Sequence, residues 1–431
     1  MRPDASQLNR RNFLRTMAVG GLATVSLPRA GIARDGPNDR LALGFIGVGT
    51  MGRGHLGSFL GMADVQVTAV CDVVAERRDA AKDAVEKRYA DQRAKSGYQG
   101  CAAYGDFRDL LARRDIDAVV IAMPDHWHAI PCVLAARAGK HIYCEKPLTR
   151  TISEGRRVVT EVARAKVVFQ TGSQQRSEFA GKFRTAVDLI RNGRIGKVKT
   201  VRVGVGDPAI PCDLPTQEIP AGTDWKMWVG PAAFRGYHEE LCPKGVHHHF
   251  PAWRKYLEYA NGGLADMGAH HFDIAQWALD MDATGPVRIE PPAAADANRG
   301  LRFVYATGIE MLHGGPSGAT FERTAGTIYV DRDVLRNSPD SILKEPLDAK
   351  AVRVYRATNH RRNWVECIRT KKDTICPAEI GHRSASVCLL GNIGYRLRRP
   401  LAWDPTRERF VQDAEADALL DPPLRAPWTW A

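Results

Sequence analysis

The sequence predicts an α/β protein of two domains: an N-terminal doubly wound parallel sheet, then an α+β domain with a large, open and mostly antiparallel sheet. The chain of 431 residues exceeds one ordinary hydrophobic core, and 44% of its residues are apolar. Short apolar runs alternate with longer segments of helical period as far as residue 147. Beyond residue 150 the pattern changes to alternating runs that are typical of antiparallel strands.

Residues 1–33 are predicted to be a targeting segment rather than part of the fold. A twin-arginine pattern at 9–15 precedes a charge-free apolar run at 17–27, which is shorter than the ~20 residues that span a bilayer. Small residues at 31–33 place signal-peptide cleavage after residue 33, and no cysteine follows that could carry a lipid anchor. We therefore expect the twin-arginine machinery to deliver the folded protein to the periplasm or the medium, without membrane anchoring after cleavage. The alternative is an N-terminal arm that happens to contain two arginines.

The first domain is expected at residues 39–150. Its apolar runs predict strands at 41–47, 65–72, 117–124 and 140–144. Helices are predicted at 73–89 and 128–138, the second of which ends at a glycine, a common helix stop.

The second domain is expected at residues 151–400, and residues 401–431 are expected to pack across the surface as a tail. Strands are predicted at 197–205, 287–290, 301–305, 309–312 and 327–330. Helices are predicted at 179–192, 265–279, 362–369 and 384–397.

Charge and cysteine content exclude some classes of function. The formal charge is +12, but the basic residues are scattered and form no stripe interleaved with aromatics, so we expect no nucleic-acid partner. The nine cysteines include no C-x-x-C pair and are interpreted mainly as core thiols. Cys212 and Cys242 lie in a loop-rich stretch, where pairing outside the cytoplasm stays open.

A glycine-rich turn indicates a dinucleotide site. Gly47, Gly49 and Gly52 form a G-x-G-x-x-G pattern after a predicted strand, and Thr50 and Met51 open the following helix. In a Rossmann domain the first glycine permits a tight turn, the second lets the backbone approach the pyrophosphate, and the third lets helix and strand pack closely. The helix N-terminus then offers N–H groups to the phosphates.

Asp72 ends the second predicted strand, where this fold expects an acidic residue for the adenosine ribose. Its carboxylate would accept hydrogen bonds from the ribose hydroxyls and repel a 2′-phosphate, so NAD is expected rather than NADP. The nearby Arg77 and Arg78 leave some room for NADP, and Asp72 has the alternative role of a helix cap.

Three further motifs carry a family resemblance. They are Glu145-Lys146-Pro147 after a predicted strand, the PDHWH run at 124–128, and the DMGAH run at 266–270. With the glycine pattern, they resemble the glucose-fructose oxidoreductase and inositol dehydrogenase family, Gfo/Idh/MocA, over nearly the whole chain after the leader. The runs at 224–228 and 381–384 are similar to an exported branch of that family that includes NAD-dependent glycosidases.

The resemblance implies NAD as cofactor, catalytic roles for Lys146, Asp266 and His270, a Lys-Pro peptide that is commonly cis, and association into homo-oligomers. The residues expected beside the cofactor, besides the glycine-rich turn and Asp72, are Pro124, His126, His128, Glu145 and Lys146.

The chemistry of the three catalytic candidates can also be argued from their positions. Lys146 follows a strand of the parallel sheet and would point into the crevice, where its ammonium orients a hydroxyl and stabilises an alkoxide. Asp266 and His270 are four residues apart, so the carboxylate is expected to orient the imidazole and favour its protonated form. His270 is then the general base. The alternatives are a surface lysine, a helix cap and a core histidine with His271 facing the pocket.

Substrate contacts are less specified by the sequence. Candidates that lie in turns or loop-rich segments are Gln175, Arg176, Tyr237, His238 and His248. Three adjacent histidines at 247–249 raise a metal site, but they cannot all face one ion and no carboxylate stands at a recognised spacing, so no metal is expected. Asp273 is interpreted as structural.

Two enzymatic functions and one non-enzymatic function follow. The favoured one is an exported oxidoreductase that acts on a carbinol of a sugar, glycoside or polyol with tightly bound NAD, since no free NAD pool exists outside the cytoplasm. The second is an NAD-dependent glycosidase that works by transient oxidation at ring carbon 3, elimination and hydration. The third is a sugar-binding protein that keeps NAD only structurally.

Overall fold

The computed structural model describes residues 40–93, 98–323 and 325–430 of the chain. The predicted twin-arginine pattern and cleavage site lie outside the described residues. Both sheets belong to one compact unit that begins at Arg40. In the described part of the chain, no helix combines the length and apolar character that a membrane crossing requires.

A six-stranded parallel sheet forms the first half, in the order β3-β2-β1-β4-β5-β6. The strands are β1 (Leu41–Ile46), β2 (Val65–Cys71), β3 (Ala102–Tyr104), β4 (Ala118–Ile121), β5 (His141–Cys144) and β6 (Phe169–Thr171). The helices are α1 (Thr50–Leu60), α2 (Ala75–Arg93), α3 (Phe107–Leu111), α4 (Ala129–Arg137) and α5 (Ile152–Ala165). The predicted doubly wound sheet is confirmed, and the strand order reverses between β1 and β4, where such folds open a crevice.

Helices cover both faces of this sheet, which is why its strands are apolar runs rather than alternating ones. All four residues of β4 are buried. The last crossover helix, α5, begins with a capping box in which Thr151 and Glu154 bond each other's backbone N–H groups. Because α5 returns the chain to β6, the parallel sheet continues to Thr171, past the domain boundary expected at residue 150.

The second half is built on an eight-stranded sheet. Its strands are β7 (Thr200–Gly204), β8 (Arg288–Glu290), β9 (Arg302–Val304), β10 (Glu310–Arg323), β11 (Gly326–Val330), β12 (Leu335–Ser338), β13 (Leu401–Asp404) and β14 (Arg409–Phe410). The order is β12-β11-β10-β9-β8-β13-β14, and β7 pairs with β10. Its helices are α6 (Lys182–Arg191), α7 (Trp225–Val229), α8 (Gly262–Asp266), α9 (Gly268–Ala278), α10 (Ser341–Lys344), α11 (His360–Thr370), α12 (Ala378–Leu397) and α13 (Ala414–Asp417).

Strand β10 is longer than the run predicted at 309–312. Residues 310–313 pair with β7 in ascending register, and residues 319–322 pair with the same β7 residues in descending register. The chain turns between these halves at Gly314 and Gly315, which both have positive φ. The two halves of β10 therefore enclose β7, and the sheet buries one face against α6, α9 and α12.

The helix predicted at 265–279 is two helices, α8 and α9, separated by Met267. In a continuous helix the Asp266 carbonyl would accept the His270 N–H. Instead the His270 N–H bonds the Met267 carbonyl, and the Asp266 carbonyl accepts the Lys146 ammonium at 2.7 Å. A contact with the first half of the chain thus interrupts the helix.

The C-terminal residues, expected to pack across the surface as a tail, also add a strand to the second sheet and an aromatic contact to the first half of the chain. Strand β13 pairs with β8 and extends the second sheet. Near the end, the Trp428 ring packs on Trp127, with centroids 4.7 Å apart, and on Phe107 of the first half.

Candidate active site

A cavity of about 400 Å³ opens where β1, β4 and β5 end. Its wall includes the glycine-rich turn, Asp72 and Lys146 from the first half of the chain. Asp266, His270 and Arg332 from the second half complete it. Residues that the sequence separates by more than a hundred positions therefore face one space.

The glycine-rich turn has the shape that a dinucleotide needs. Gly47 has φ of +85°, and a Cβ there would lie 2.6 Å from the Ala122 carbonyl oxygen. A Cβ on Gly52 would collide with the Gly47 carbonyl, whereas one on Gly49 would meet no protein atom and point into open space. Helix α1 begins at Thr50, with its free N–H groups at the same place. The cradle therefore fits a pyrophosphate.

Asp72 is tied to this turn. Its carboxylate oxygens accept the N–H groups of Val48 and Val74, each at 2.9 Å, and keep further lone pairs for ribose hydroxyls. The Arg77 guanidinium donates to the carbonyls of Gly245 and Pro243, so it is already engaged by the backbone. This arrangement favours NAD over NADP.

Residues 243–249 cross over the glycine-rich turn, and we call this segment the strap. Thr50 Oγ1 donates to the His249 carbonyl at 2.8 Å, and Arg53 donates to the His247 carbonyl. His247 lies on the cavity wall, and burial lowers the pKa of its imidazole to about 4. The expected substrate contact, His248, is exposed and does not line the cavity. Of the histidines at 247–249, His247 and not His248 therefore lines the cavity.

Lys146 lies at the centre of the site. The Lys146–Pro147 peptide is cis, as the resemblance implied. The ammonium donates to Asp266 Oδ1 at 2.5 Å and to the Asp266 carbonyl at 2.7 Å. An ammonium has three donors, so one remains for a ligand in the cavity.

Asp266 was expected to orient the His270 imidazole and favour its protonated form. This expectation is wrong, because the Asp266 carboxylate pairs with Lys146 instead. His270 is 3% exposed, and its Nδ1 has no hydrogen-bond partner among the described residues. Burial, and then the charges of Lys146 and Arg332, hold the pKa of His270 well below its ordinary value. The imidazole is therefore neutral, which is the form that a general base requires.

Glu145 joins a buried network beneath Lys146. Its Oε1 accepts His55 Nε2 at 2.7 Å and Gln174 Nε2 at 2.8 Å, while Arg361 Nε donates to His55 Nδ1. Burial alone would raise the pKa of Glu145, but His55 and Lys146 lower it on balance. The carboxylate is thus ionised and lies on the cavity wall.

The PDHWH run divides between the wall and the interior. Pro124 lines the cavity, but His126 and His128, expected beside the cofactor, do not. The buried His128 imidazole lies between the carbonyls of Met123 and Pro147, at 2.8 and 2.7 Å. It therefore ties the segment after Lys146 to the end of β4. His126 lies 3.0 Å from the Trp228 carbonyl. Both histidines support the site from behind because the short 3₁₀ turn at 125–127 directs them inward.

Asp125 is a site residue that the sequence reasoning missed. It is 4% exposed and lines the cavity. Burial, and then the charge of Asp266, raises the pKa of its carboxyl to about 8. An acidic residue directly after a crevice strand was the available signal. The cavity thus holds a carboxyl that is protonated at neutral pH.

Three other substrate candidates have structural roles. Arg176, 1% exposed, forms paired hydrogen bonds with Asp273 and Asp282 at 2.7 to 2.9 Å, so Asp273 is structural as predicted. The Tyr237 hydroxyl donates to the Cys242 carbonyl. His238 Nδ1 accepts the Glu240 N–H within its own turn. The loop around 237–242 folds on its own aromatic cluster, so these side chains turn away from the cavity.

Gln175 does not line the cavity but contacts two residues that do, His270 and Arg332. In the amide orientation that satisfies both neighbours, it donates to the His270 carbonyl and accepts from Arg332 Nε, each at 3.1 Å. The described residues contain no group of three or more metal-ligating side chains that could hold an ion. Cys212 and Cys242 are buried free thiols.

The fold and the cavity together define a two-domain dinucleotide-binding oxidoreductase. Residues 41–173 match the family described as "Oxidoreductase family, NAD-binding Rossmann fold", and residues 210–430 match "Oxidoreductase family, C-terminal alpha/beta domain". The chain belongs to this Gfo/Idh/MocA family, as the motifs predicted, and its cofactor is NAD.

Curated relatives match over part of the chain. A glycosyl hydrolase family 109 protein of Shewanella pealeana is 29% identical over 212 residues, 44% of each chain. The myo-inositol 2-dehydrogenase of Thermotoga maritima is 29% identical over 171 residues, 40% of this chain and 47% of the relative. The matches thus span less than half the length of these relatives.

Solved structures share the fold over most of the chain. The WlbA dehydrogenase of Bordetella pertussis, in complex with NADH and UDP-GlcNAcA, is 18% identical with a TM-score of 0.59, covering 85% of this chain and 99% of that one. The aldose-aldose oxidoreductase of Caulobacter crescentus, complexed with glycerol, is 17% identical with a TM-score of 0.55, covering 84% of this chain and 99% of that one.

Proposed function

We propose that this protein is an NAD-dependent oxidoreductase that acts on a carbinol of a sugar, a glycoside or a similar polyol. The observation that carries the proposal is the arrangement of Lys146 and His270 on one cavity wall. Lys146 has a free donor on its ammonium, and His270 contributes a neutral imidazole to the same wall. The matches to an inositol dehydrogenase and to an aldose oxidoreductase support the substrate class.

Each residue has a defined task in this proposal. NAD, when bound, supplies the hydride acceptor. Lys146 orients the substrate hydroxyl and stabilises negative charge on its oxygen. His270 takes the hydroxyl proton, because its imidazole is neutral and lies on the same wall. Asp266 holds the Lys146 ammonium in place, and Gln175 holds the backbone of His270.

The test is a panel of aldoses, polyols and glycosides added to the purified protein with its bound NAD. Absorbance of the reduced nicotinamide should rise with at least one carbinol substrate. The Lys146→Met variant should bind NAD equally and reduce it about 10²- to 10³-fold more slowly. Reduction that proceeds at full rate without Lys146 would contradict the assignment, and no reduction with any member would contradict the substrate class.

A second candidate is an NAD-dependent glycosidase. Asp125 favours it, because a carboxyl with pKa of about 8 is a proton donor for a departing aglycone oxygen. The match to family 109 glycosyl hydrolases also supports it. Release of the phenol from an aryl glycoside, with no added oxidant or acceptor, would distinguish this function from simple oxidation. The same release should fall in Asp125→Asn if the carboxyl donates the proton.

We further propose that the protein is exported by the twin-arginine route and that it carries its NAD with it. The pattern at 9–15 supports export. The strap supports retention, since Thr50, Arg53 and Arg77 all donate to its carbonyls across the cofactor cradle. Denaturing the protein after purification without cofactor should release NAD in near-equal molar amount. An empty protein would contradict retention, and cytoplasmic protein with an intact N-terminus would contradict export.

A further inference from the structure

We propose that Arg332 recognises a carboxylate on the substrate, so that the enzyme acts on an acidic sugar such as a uronic acid or its glycoside. This inference rests on the proposed function and names its substrate class. It starts from a cation on the cavity wall that has no carboxylate partner.

Arg332 is positioned by a rigid turn between β11 and β12. Asp331 Oδ1 accepts the N–H groups of Asp333 and Val334, at 2.8 and 2.7 Å, and its Oδ2 accepts the Tyr329 hydroxyl at 2.6 Å. These bonds hold the turn on both sides of Arg332. From this turn of the second sheet the side chain reaches the wall of the same cavity that the glycine-rich turn lines.

The orientation of the guanidinium is also determined. Its Nε donates to the Gln175 amide oxygen at 3.1 Å, and its Cζ lies 5.0 Å from the centre of the Phe179 ring. No hydrogen bond or ion pair of its two terminal nitrogens is found among the described residues. Those nitrogens form the fork that binds a planar carboxylate through two parallel hydrogen bonds.

The other cations at this end of the cavity are paired. Lys146 binds Asp266, Arg361 lies 3.3 Å from Glu178, and Arg254 lies 3.6 Å from Asp266 with its guanidinium over Trp253. Among these wall residues Arg332 alone lacks a carboxylate within 4 Å. Among the acids of the cavity wall, Asp266 and Glu178 pair with these other cations, and Glu145 accepts from His55 and Gln174.

An unpaired cation in this setting favours an anionic ligand. Arg332 is half-buried, so its charge is partly desolvated, and this burial lowers the pKa of the guanidinium. Displacing the remaining water with a neutral sugar would leave the cation uncompensated, whereas a carboxylate would pair with it. A single guanidinium matches a monoanion, and a phosphate dianion would require more cations than this wall leaves free.

The anionic group would lie near the reacting carbon. The Gln175 amide bridges Arg332 Nε and the His270 carbonyl, each at 3.1 Å, so one side-chain amide separates the guanidinium from the backbone of the proposed base. A carboxylate on the same sugar ring as the reacting carbinol, as in a uronic acid, matches this short separation.

The experiment compares glucuronate with glucose and galacturonate with galactose, using the full-length protein with bound NAD. Wild type should prefer the acid in each pair. Arg332→Gln should lower kcat/KM for the acid about 10- to 100-fold more than for the neutral sugar, mainly through KM. Arg336→Gln is the matched control, because Arg336 is exposed on the next strand. Arg332→Lys should recover only part of the preference, since an ammonium has no planar fork.

Three outcomes would overturn the inference. They are a wild-type preference for the neutral or a phosphorylated sugar, an equal loss for both members of a pair in Arg332→Gln, and an unchanged preference in that variant. If no sugar reduces the cofactor, the proposed function fails, and calorimetry then decides the role of Arg332. Uronate binding that Arg332→Gln weakens at least tenfold supports the inference, and no uronate binding to wild type refutes it.

Discussion

Replacing Lys146 by methionine tests the centre of the proposed site. The side chain is 13% exposed, and two of its donors bind Asp266 Oδ1 and the Asp266 carbonyl at 2.5 and 2.7 Å. The third donor is the one available to the substrate oxygen. Methionine keeps the length and apolar stem of the side chain and removes every donor.

The expected loss follows from that single donor. Removing one preorganised donor to a developing oxyanion costs about 2.7–4 kcal/mol, or about 10²- to 10³-fold in kcat. NAD binding should change little, because the glycine-rich turn and Asp72 hold the other end of the cofactor. Lys146→Arg keeps the charge but not the compact geometry, so we expect it to recover only part of the rate.

The assay is single-turnover reduction of bound NAD, measured after mixing with the best substrate of the panel. Bound NAD is quantified in each variant by denaturation. Lys199→Met is the control for a generic loss of charge, because Lys199 is exposed and lies directly before strand β7. A rate for Lys146→Met within about threefold of wild type, at equal NAD content, would refute the reasoning. Loss of NAD together with rate would show that Lys146 acts mainly in holding the cofactor.

Three further predictions follow from the structure. Arg176→Met should lower the free energy of unfolding by about 3–5 kcal/mol in denaturant titrations, because it leaves Asp273 as a buried, uncompensated charge. For Asp125, the folded-state pKa of about 8 exceeds the unfolded value of about 3.9, so the folded protein binds the extra proton and stability falls as pH rises between these values. Asp125→Asn should remove that part of the pH dependence, measured as the difference in Tm between the two proteins across the range. Asp72→Asn should weaken NAD binding about 10- to 100-fold in calorimetry, because an amide cannot accept both backbone N–H groups.

Each of these has a contradicting result. A stable Arg176→Met variant that loses substrate affinity would restore the substrate role that the sequence first assigned to it. A Tm difference between wild type and Asp125→Asn that is constant from acidic to alkaline pH would show that this carboxyl titrates normally. Unchanged NAD affinity in Asp72→Asn would show that the glycine-rich turn holds its shape without the carboxylate.

The cofactor site was readable from the sequence because its determinants are local. The turn at Gly47, the strand that precedes it and the helix that follows lie within one short segment, and Asp72 closes the next strand. Backbone geometry and helix dipoles act over a few residues, so spacing alone carries them. Four of the six parallel strands and most helix positions were predictable for the same reason, whereas β3 and β6, of three residues each, are too short to give a periodic pattern.

The substrate end of the cavity was decided by tertiary contacts. The Lys146 ammonium donates to both the carbonyl and the carboxylate of Asp266, so the helix is interrupted at Met267. His270 therefore lacks the Asp266 carboxylate partner that the four-residue spacing predicted. Arg176 forms ion pairs with buried carboxylates and does not contact the cavity. Arg332 reaches the cavity wall from a turn that carries no recognisable sequence motif. Burial and ion pairing depend on which distant segments meet, and that depends on packing rather than on spacing. The sequence by itself determined the family, the fold and the cofactor; only the tertiary structure decided which charges in the cavity are paired and which remain free for a substrate.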